Sequence, residues 1–491
     1  MISKSKKILA LLLAITLVVT LAACGDKKAT KTNADPTKGA EQTSDKPEAT
    51  DLPDATPTEA PDPYAAFDMG GRTIKVGIWW DYYYTSEHTD INEDPKLDNA
   101  ETAQMKLDNV RRIEEKYNCK IQYVNLTWNG VINSINTSIP AGTPECDVYL
   151  CNLQFGIPAA LNGLCTDLSQ VALENNDLFG NQSVVVPLKT DAFDGTYFFK
   201  LKELPISGTF LEYNATMIKD LGLEDPQELY NKGEWTWEKF AELAKAGNQD
   251  TDGDGDIDIY GYGGPWTEMI TGLVINNGGV IAGGPTQSLD SKPVIEVLEF
   301  MDRIYNVDKS ARPWNTESWD DNLLAWSSGK VMFWNGQAWL NRQEIETAIK
   351  NGTELPFEFH VVPYPAGPSG DGKVYSPAGG EHYMIPVGVE EPGQVLQVME
   401  EYFNWYRGDT TFRDDPTWFE SCFQTQEDVD LAFKTYENLV FDMWGALTPY
   451  YDFGQTVFMP LCVDKTHTVA QAVESSKPVL QNALDILYEA E

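Results

Sequence analysis

Residues 146–152 read CDVYLCN, and from Val148 to Cys151 the run is apolar without interruption. A strand with one wet face alternates apolar and polar residues, whereas a strand covered on both faces does not. The run therefore predicts a buried parallel strand, with Cys146 and Cys151 as buried thiols. Outward toward the N-terminus, NGVINSINTSIPAG (129–142) predicts a short helix ending at Pro140, and KIQYVNL (120–126) a second strand. NAETAQMKLDNVRRIEEKYN (99–118) carries Met105, Leu107, Val110 and Ile113 near helical spacing, and RTIKVGIWW (72–80) alternates Ile74, Val76 and Ile78 as a strand does. The order β-α-β-α-β predicts an α/β lobe with a doubly wound sheet.

Toward the C-terminus, GTYFFKLKELPISGTFLEYNATMIKDLGL (195–223) reads as strand, crossover, strand and short helix. GEWTWEKFAELAKAG (233–247) is a helix with Thr236 as N-cap and Trp235 and Phe240 placed as a hydrophobic staple. Trp235 and Trp237, at a helix start, read as structural. Further strands are expected in 327–340, 357–365 and 382–388, and helices in 291–305, 393–408 and 466–491.

The chain has 491 residues, more than one core accommodates, and a formal net charge of −39 that argues against nucleic acid and anionic membrane surfaces. Its first 23 residues read as a processing signal: Lys4, Lys6 and Lys7, then an apolar run from Ile8 to Ala23 that is short for a membrane span. Leu21-Ala22-Ala23-Cys24 resembles a lipoprotein cleavage site, with Cys24 as the lipidated residue. Residues 24–65 hold few aromatic or branched apolar side chains and read as a disordered tether of about 35 Å mean span. The expected location is the outer face of a cell membrane, held by the lipid alone.

Four histidines form no HExxH or zinc spacing, and no P-loop, GxSxG or GxGxxG motif is present. The expectation is a non-enzyme with no required cofactor. One stretch points to a metal: DTDGDGDIDIYG (250–261) sets Asp250, Asp252, Asp254, Asp256 and Asp258 on alternate positions around Gly255. This matches the first half of a calcium loop, but position 12 is Gly261 where a bidentate Glu belongs. Two readings stay open: a structural calcium ion, or an Asx-rich turn without metal.

The segments 113–128, 139–152, 211–226, 233–246 and 327–339, taken in order, resemble the extracellular solute-binding proteins of ABC importers, in the branch that includes maltose-binding protein. The resemblance implies a two-lobed, type II periplasmic-binding-protein-like α/β fold with a ligand cleft between the lobes. Lobe one would hold 70–205 and 378–440, and lobe two 206–377 and 441–491. It further implies a monomer that captures a sugar and docks on ABC permease subunits. A sugar ring is held by aromatic faces and by carboxylates and amides on its hydroxyl rim. Matching residues at strand ends and turns are Trp80, Asp81, Tyr82, Asn152, Gln154, Trp266, Asn335, Gln337, Trp339, Glu381, Trp444, Tyr450 and Tyr451. Of Trp79 and Trp80, one belongs in the core, and Trp80 is the one expected outside. Two other classes remain: a surface glycoside hydrolase or lyase, and a receptor for a different solute such as a peptide.

Overall fold

The helices begin where the sequence supplies a cap. In the computed structural model, which describes residues 64–171, 184–188, 192, 194–202, 208–448 and 450–488, the helix Ala100–Tyr117 opens at Asn99. The Asn99 side chain accepts from the backbone N–H groups of Glu101 and Thr102, and the helix closes at Asn118 in the left-handed region (φ 47°). Thr236 caps the helix Trp237–Ala246 through the Lys239 N–H, and Trp235 meets Phe240 edge-on at 6.1 Å. Trp235 and Trp237 are both buried.

The strands are β1 (Arg72–Ile78), β2 (Cys119–Asn125), β3 (Val148–Asn152), β4 (Val185–Pro187), β5 (Phe199–Leu201), β6 (Phe210–Asn214), β7 (Tyr260–Tyr262), β8 (Val331–Gly336), β9 (Phe359–Val362), β10 (Ser376–Pro377), β11 (Glu381–Met384) and β12 (Leu439–Val440). A six-stranded sheet runs β2-β1-β3-β11-β5-β4 and a four-stranded one β7-β8-β6-β9. β1 is parallel to β2 and β3, as the apolar run of β3 requires, while β11 lies antiparallel between β3 and β5. The helices Ala100–Tyr117 and Pro392–Phe403 cover one face of the larger sheet; Trp128–Ser138 and Leu153–Leu161 cover the other. These two sheets are the cores of two lobes within the compact unit of residues 62–491. The chain passes between them several times, once through the parallel pair of β10 and β12.

Two boundaries differ from the sequence reading. The sequence places 378–440 in lobe one, but the helix Gln426–Tyr436 packs on β9 of lobe two. There Val429, Ala432 and Tyr436 join Phe210, Val361 and Phe419 in one cluster. An amphipathic helix does not disclose which sheet its apolar stripe will meet. The tether was assigned to 24–65, but Tyr64 is half-buried and the Ala65 carbonyl accepts from Gln397 Nε2 at 2.9 Å. Cys24 and the expected processing signal lie outside the described residues. Among the described residues, no helix is long and apolar enough to cross a membrane. Cys119, Cys146, Cys151, Cys165, Cys422 and Cys462 are free and buried.

One buried acid sets a pH dependence. Glu212, in the middle of β6, is 1% exposed. Asn341 Nδ2 donates to its Oε1, and its Oε2 has no partner among the described residues. Burial pushes its carboxyl well above the usual glutamate range. The folded state thus holds a proton that the unfolded chain releases, and stability falls as pH rises above the ordinary glutamate pKa. Glu212→Gln removes that slope. Its stability relative to the parent is expected to rise as pH increases above the ordinary glutamate pKa, read by urea unfolding at each pH.

Candidate functional site

Just past the C-terminal end of β1 come two consecutive aromatic residues, which meet different surroundings. Trp79 points inward, edge-on to Trp128 at 4.9 Å, while Trp80 is 43% exposed and meets Trp79 edge-on at 5.3 Å. Tyr82 stacks on Tyr123 of β2, with centroids 4.6 Å apart and planes at 29°. Trp80 and Tyr82 line one cavity of about 420 Å³, within the range of small-ligand sites. Tyr84, Tyr123, Tyr383 and Trp405 continue its aromatic wall, and Trp418 and Phe419 close it from the segment that packs on lobe two.

The polar rim comes from the loop before the helix Ala100–Tyr117. Asp94, Lys96, Asp98 and Asn99 line the cavity. Asp94 accepts from the Tyr84 hydroxyl at 2.8 Å, and that hydroxyl's proton is held tightly because burial and the carboxylate both oppose its ionisation. Lys106 lies over the rings of Tyr84 and Trp405, with its Nζ 5.0 Å from each centroid. The arrangement offers aromatic faces with hydrogen-bonding groups at their edges. The Tyr82-Tyr83-Tyr84 run is the signal that could have marked Tyr84. Tyr123, Tyr383 and Trp405 come from distant elements and carry no local signal.

The other sequence-selected residues fall into separate groups. Asp81 is exposed and accepts from Asn125 Nδ2 at 2.9 Å, tying the ends of β1 and β2. Asn152 faces Glu381 across β3 and β11 and donates to it at 3.1 Å, while its oxygen caps the next helix at the Gln154 N–H. Trp266 is half-buried and stacks on Phe458 at 4.4 Å and 8°. Trp339 is half-exposed and donates its indole N–H to Gln337. Tyr450 is half-buried against the core.

Three of the expected contact residues are internal. Asn335 is buried, accepting from the Tyr262 hydroxyl at 2.7 Å and donating to the Tyr364 hydroxyl at 3.0 Å. Tyr451 is buried with its hydroxyl on Ser476 at 2.7 Å. Trp444 is buried against Phe453 and Trp266. In each case the polar atoms or ring faces are engaged within the protein, which removes them from a ligand.

In the acidic loop, Asp250, Asp252 and Asp254 present carboxylate oxygens within 4.8 Å of one another, all exposed. Asp250 accepts from the N–H groups of Gly253 and Gly255, which adopt the positive φ angles the turn needs. Asp256 and Asp258 stand outside this trio, and Asp258 is turned to the Thr251 N–H at 2.8 Å. Position 12 has a packing reason for its glycine: a Cβ on Gly261 would lie 1.8 Å from the carbonyl oxygen of Ala244.

The family model of the bacterial extracellular solute-binding proteins matches residues 98–409. The chain belongs to that family. No curated protein matches the sequence. Among solved structures, an ABC substrate-binding protein from Listeria monocytogenes in complex with cycloalternan is similar at a TM-score of 0.56 and 14% identity, over 84% of this chain and 98% of that one. The GacH receptor of Streptomyces glaucescens, solved unliganded and with acarbose, is similar at 0.54 and 16%, over 84% and 99%. UgpB from Mycobacterium tuberculosis, in complex with glycerophosphocholine, is similar at 0.53 and 16%, over 78% and 95%. At these identities the likeness concerns the fold, and this solute-binding protein has the two-lobed, maltose-binding-protein-like fold expected from its sequence.

Proposed function

We propose that this solute-binding protein captures a carbohydrate, an oligosaccharide, at the outer face of the membrane and delivers it to an ABC permease. The observation that carries the reading is the aromatic cavity at the lobe boundary, with rings for sugar faces and the Asp94 carboxylate at its rim for hydroxyls. Relatives of the same fold that bind cycloalternan and acarbose support it. Ligand must favour the closed arrangement of the lobes, because a ligand with equal affinity for both arrangements shifts nothing. A lipid on Cys24 and the segment up to residue 63 would keep the monomer near its permease. No catalytic step is required of it.

The test is thermal unfolding of the purified protein with maltotriose, cycloalternan, acarbose, glycerophosphocholine and tripeptides. A bound ligand at a hundred times its Kd adds about 2.7 kcal/mol, a clear rise in midpoint. A rise with a saccharide recovered intact supports the proposal. A rise with glycerophosphocholine or peptide alone makes it a receptor for another solute, and cleavage of the glycan makes it an enzyme.

The acidic loop is proposed to hold one structural calcium ion through Asp250, Asp252 and Asp254. Calcium is expected to raise the midpoint relative to chelator without changing saccharide affinity, and equal midpoints would leave an Asx turn without metal.

A further inference from the structure

The loop that rims the cavity also reaches the other lobe. Leu97 is packed into lobe one with Tyr84, Ala103 and Leu107, which fixes the backbone there. The residues on either side of it turn outward. Asp98 accepts from Arg342, and Lys96 lies 3.3 Å from Glu346. Arg342 and Glu346 stand one turn apart on the helix Ala338–Asn351 and bond each other at 2.7 Å. That helix belongs to lobe two: Ala338 packs with Phe210 and Val361, and Leu340 with Trp334 and Phe359. Four charges of alternating sign thus span the boundary beside the cavity.

We propose that Asp98 and Lys96 are positioning residues, bridging to Arg342 and Glu346 so as to set the spacing of the lobes at the mouth of the cavity. The side chains of Asp98 and Arg342 are 25% and 21% exposed, so this contact is better shielded from salt than an open surface pair. Burial raises the Asp98 carboxyl against the pull of Arg342. Arg342 retains Glu346 when Asp98 is changed, so loss of Asp98 removes the contact across the boundary without orphaning the guanidinium.

The inference rests on the proposal that the cavity takes the ligand, but its test needs no ligand, so the two can fail separately. Spin labels at Gln104→Cys on lobe one and Lys350→Cys on lobe two, in the full chain carrying Cys24→Ser, report the lobe spacing by electron–electron dipolar coupling. D98N with K96Q is expected to add a longer-distance population, lowering the ratio of bridged to longer-distance molecules about fivefold, or about 1 kcal/mol. R342Q, acting from the other side, is expected to do the same, and the exchanged pair D98R with R342D to restore the parent distribution. Distributions that superimpose on the parent for D98N/K96Q and R342Q, or an exchanged pair that restores nothing, overturn the proposal.

Discussion

Trp80→Ala is expected to weaken binding of the saccharide by about 30-fold or more, while the melting temperature of the unliganded protein stays near that of the parent. A ring of this size that covers a ligand face behaves as a hot spot, and truncating one costs about 2 kcal/mol or more. The structure separates this loss from a folding defect. Trp80 is 43% exposed and leans on Trp79 only by an edge, so little packing is lost with it. Tyr82→Ala makes the contrast, since its ring stacks on Tyr123 and meets Tyr84 edge-on. That variant should lose stability as well as affinity. Titration of each variant, paired with its unliganded melting curve, checks both statements. Unchanged affinity in Trp80→Ala would place the ligand elsewhere.

Gly261→Ala is expected to cost more than about 3 kcal/mol, the range reached when an overpacked site cannot relax. The added Cβ would lie 1.8 Å from the Ala244 carbonyl oxygen and 2.3 Å from its carbon. Both atoms are backbone of the helix Trp237–Ala246, so no side chain can swing away. Either β7 or the helix must move, and the helix carries Phe240 and Leu243 in the core. Gly284→Ala is the control, because no described atom lies within 4 Å of its Cβ position, and it should be near neutral. Urea unfolding of the two variants measures the difference. The same contact accounts for the glycine at position 12 of the acidic loop, where a Glu side chain would break the packing.

The first lobe could be read from the sequence because its signals are local. Residues 72–152 carry their own periodicities, and the continuous apolar run of β3 allows only a strand covered on both faces. The place of β11 was not readable, because its neighbours β3 and β5 lie some two hundred residues away and pairing leaves no mark on a strand's own pattern. The same reasoning covers the helix Gln426–Tyr436, whose apolar stripe would suit either sheet. At the cavity, Trp80 is the exposed member of the Trp79–Trp80 pair, as expected from the sequence, and Trp79 packs on Trp128. Asn335 was misplaced because a strand-end Asn before Gly looks like a turn residue at a rim. It is instead enclosed between Tyr262 and Tyr364, a contact made by two other segments. Tyr451, expected at the site from the family resemblance, is enclosed as well, with its hydroxyl on Ser476, 25 residues further on. Asp98 and Lys96 carry no local signal, because a charge pair between lobes has no sequence signature.

Calorimetric titration of the purified protein with the saccharide that most raises its melting temperature tests the central claim most directly. One site per chain, a negative heat-capacity change from covered apolar rings, and a glycan recovered intact are the predicted result. Heat from none of the saccharides, or a glycan shortened during the titration, would contradict it.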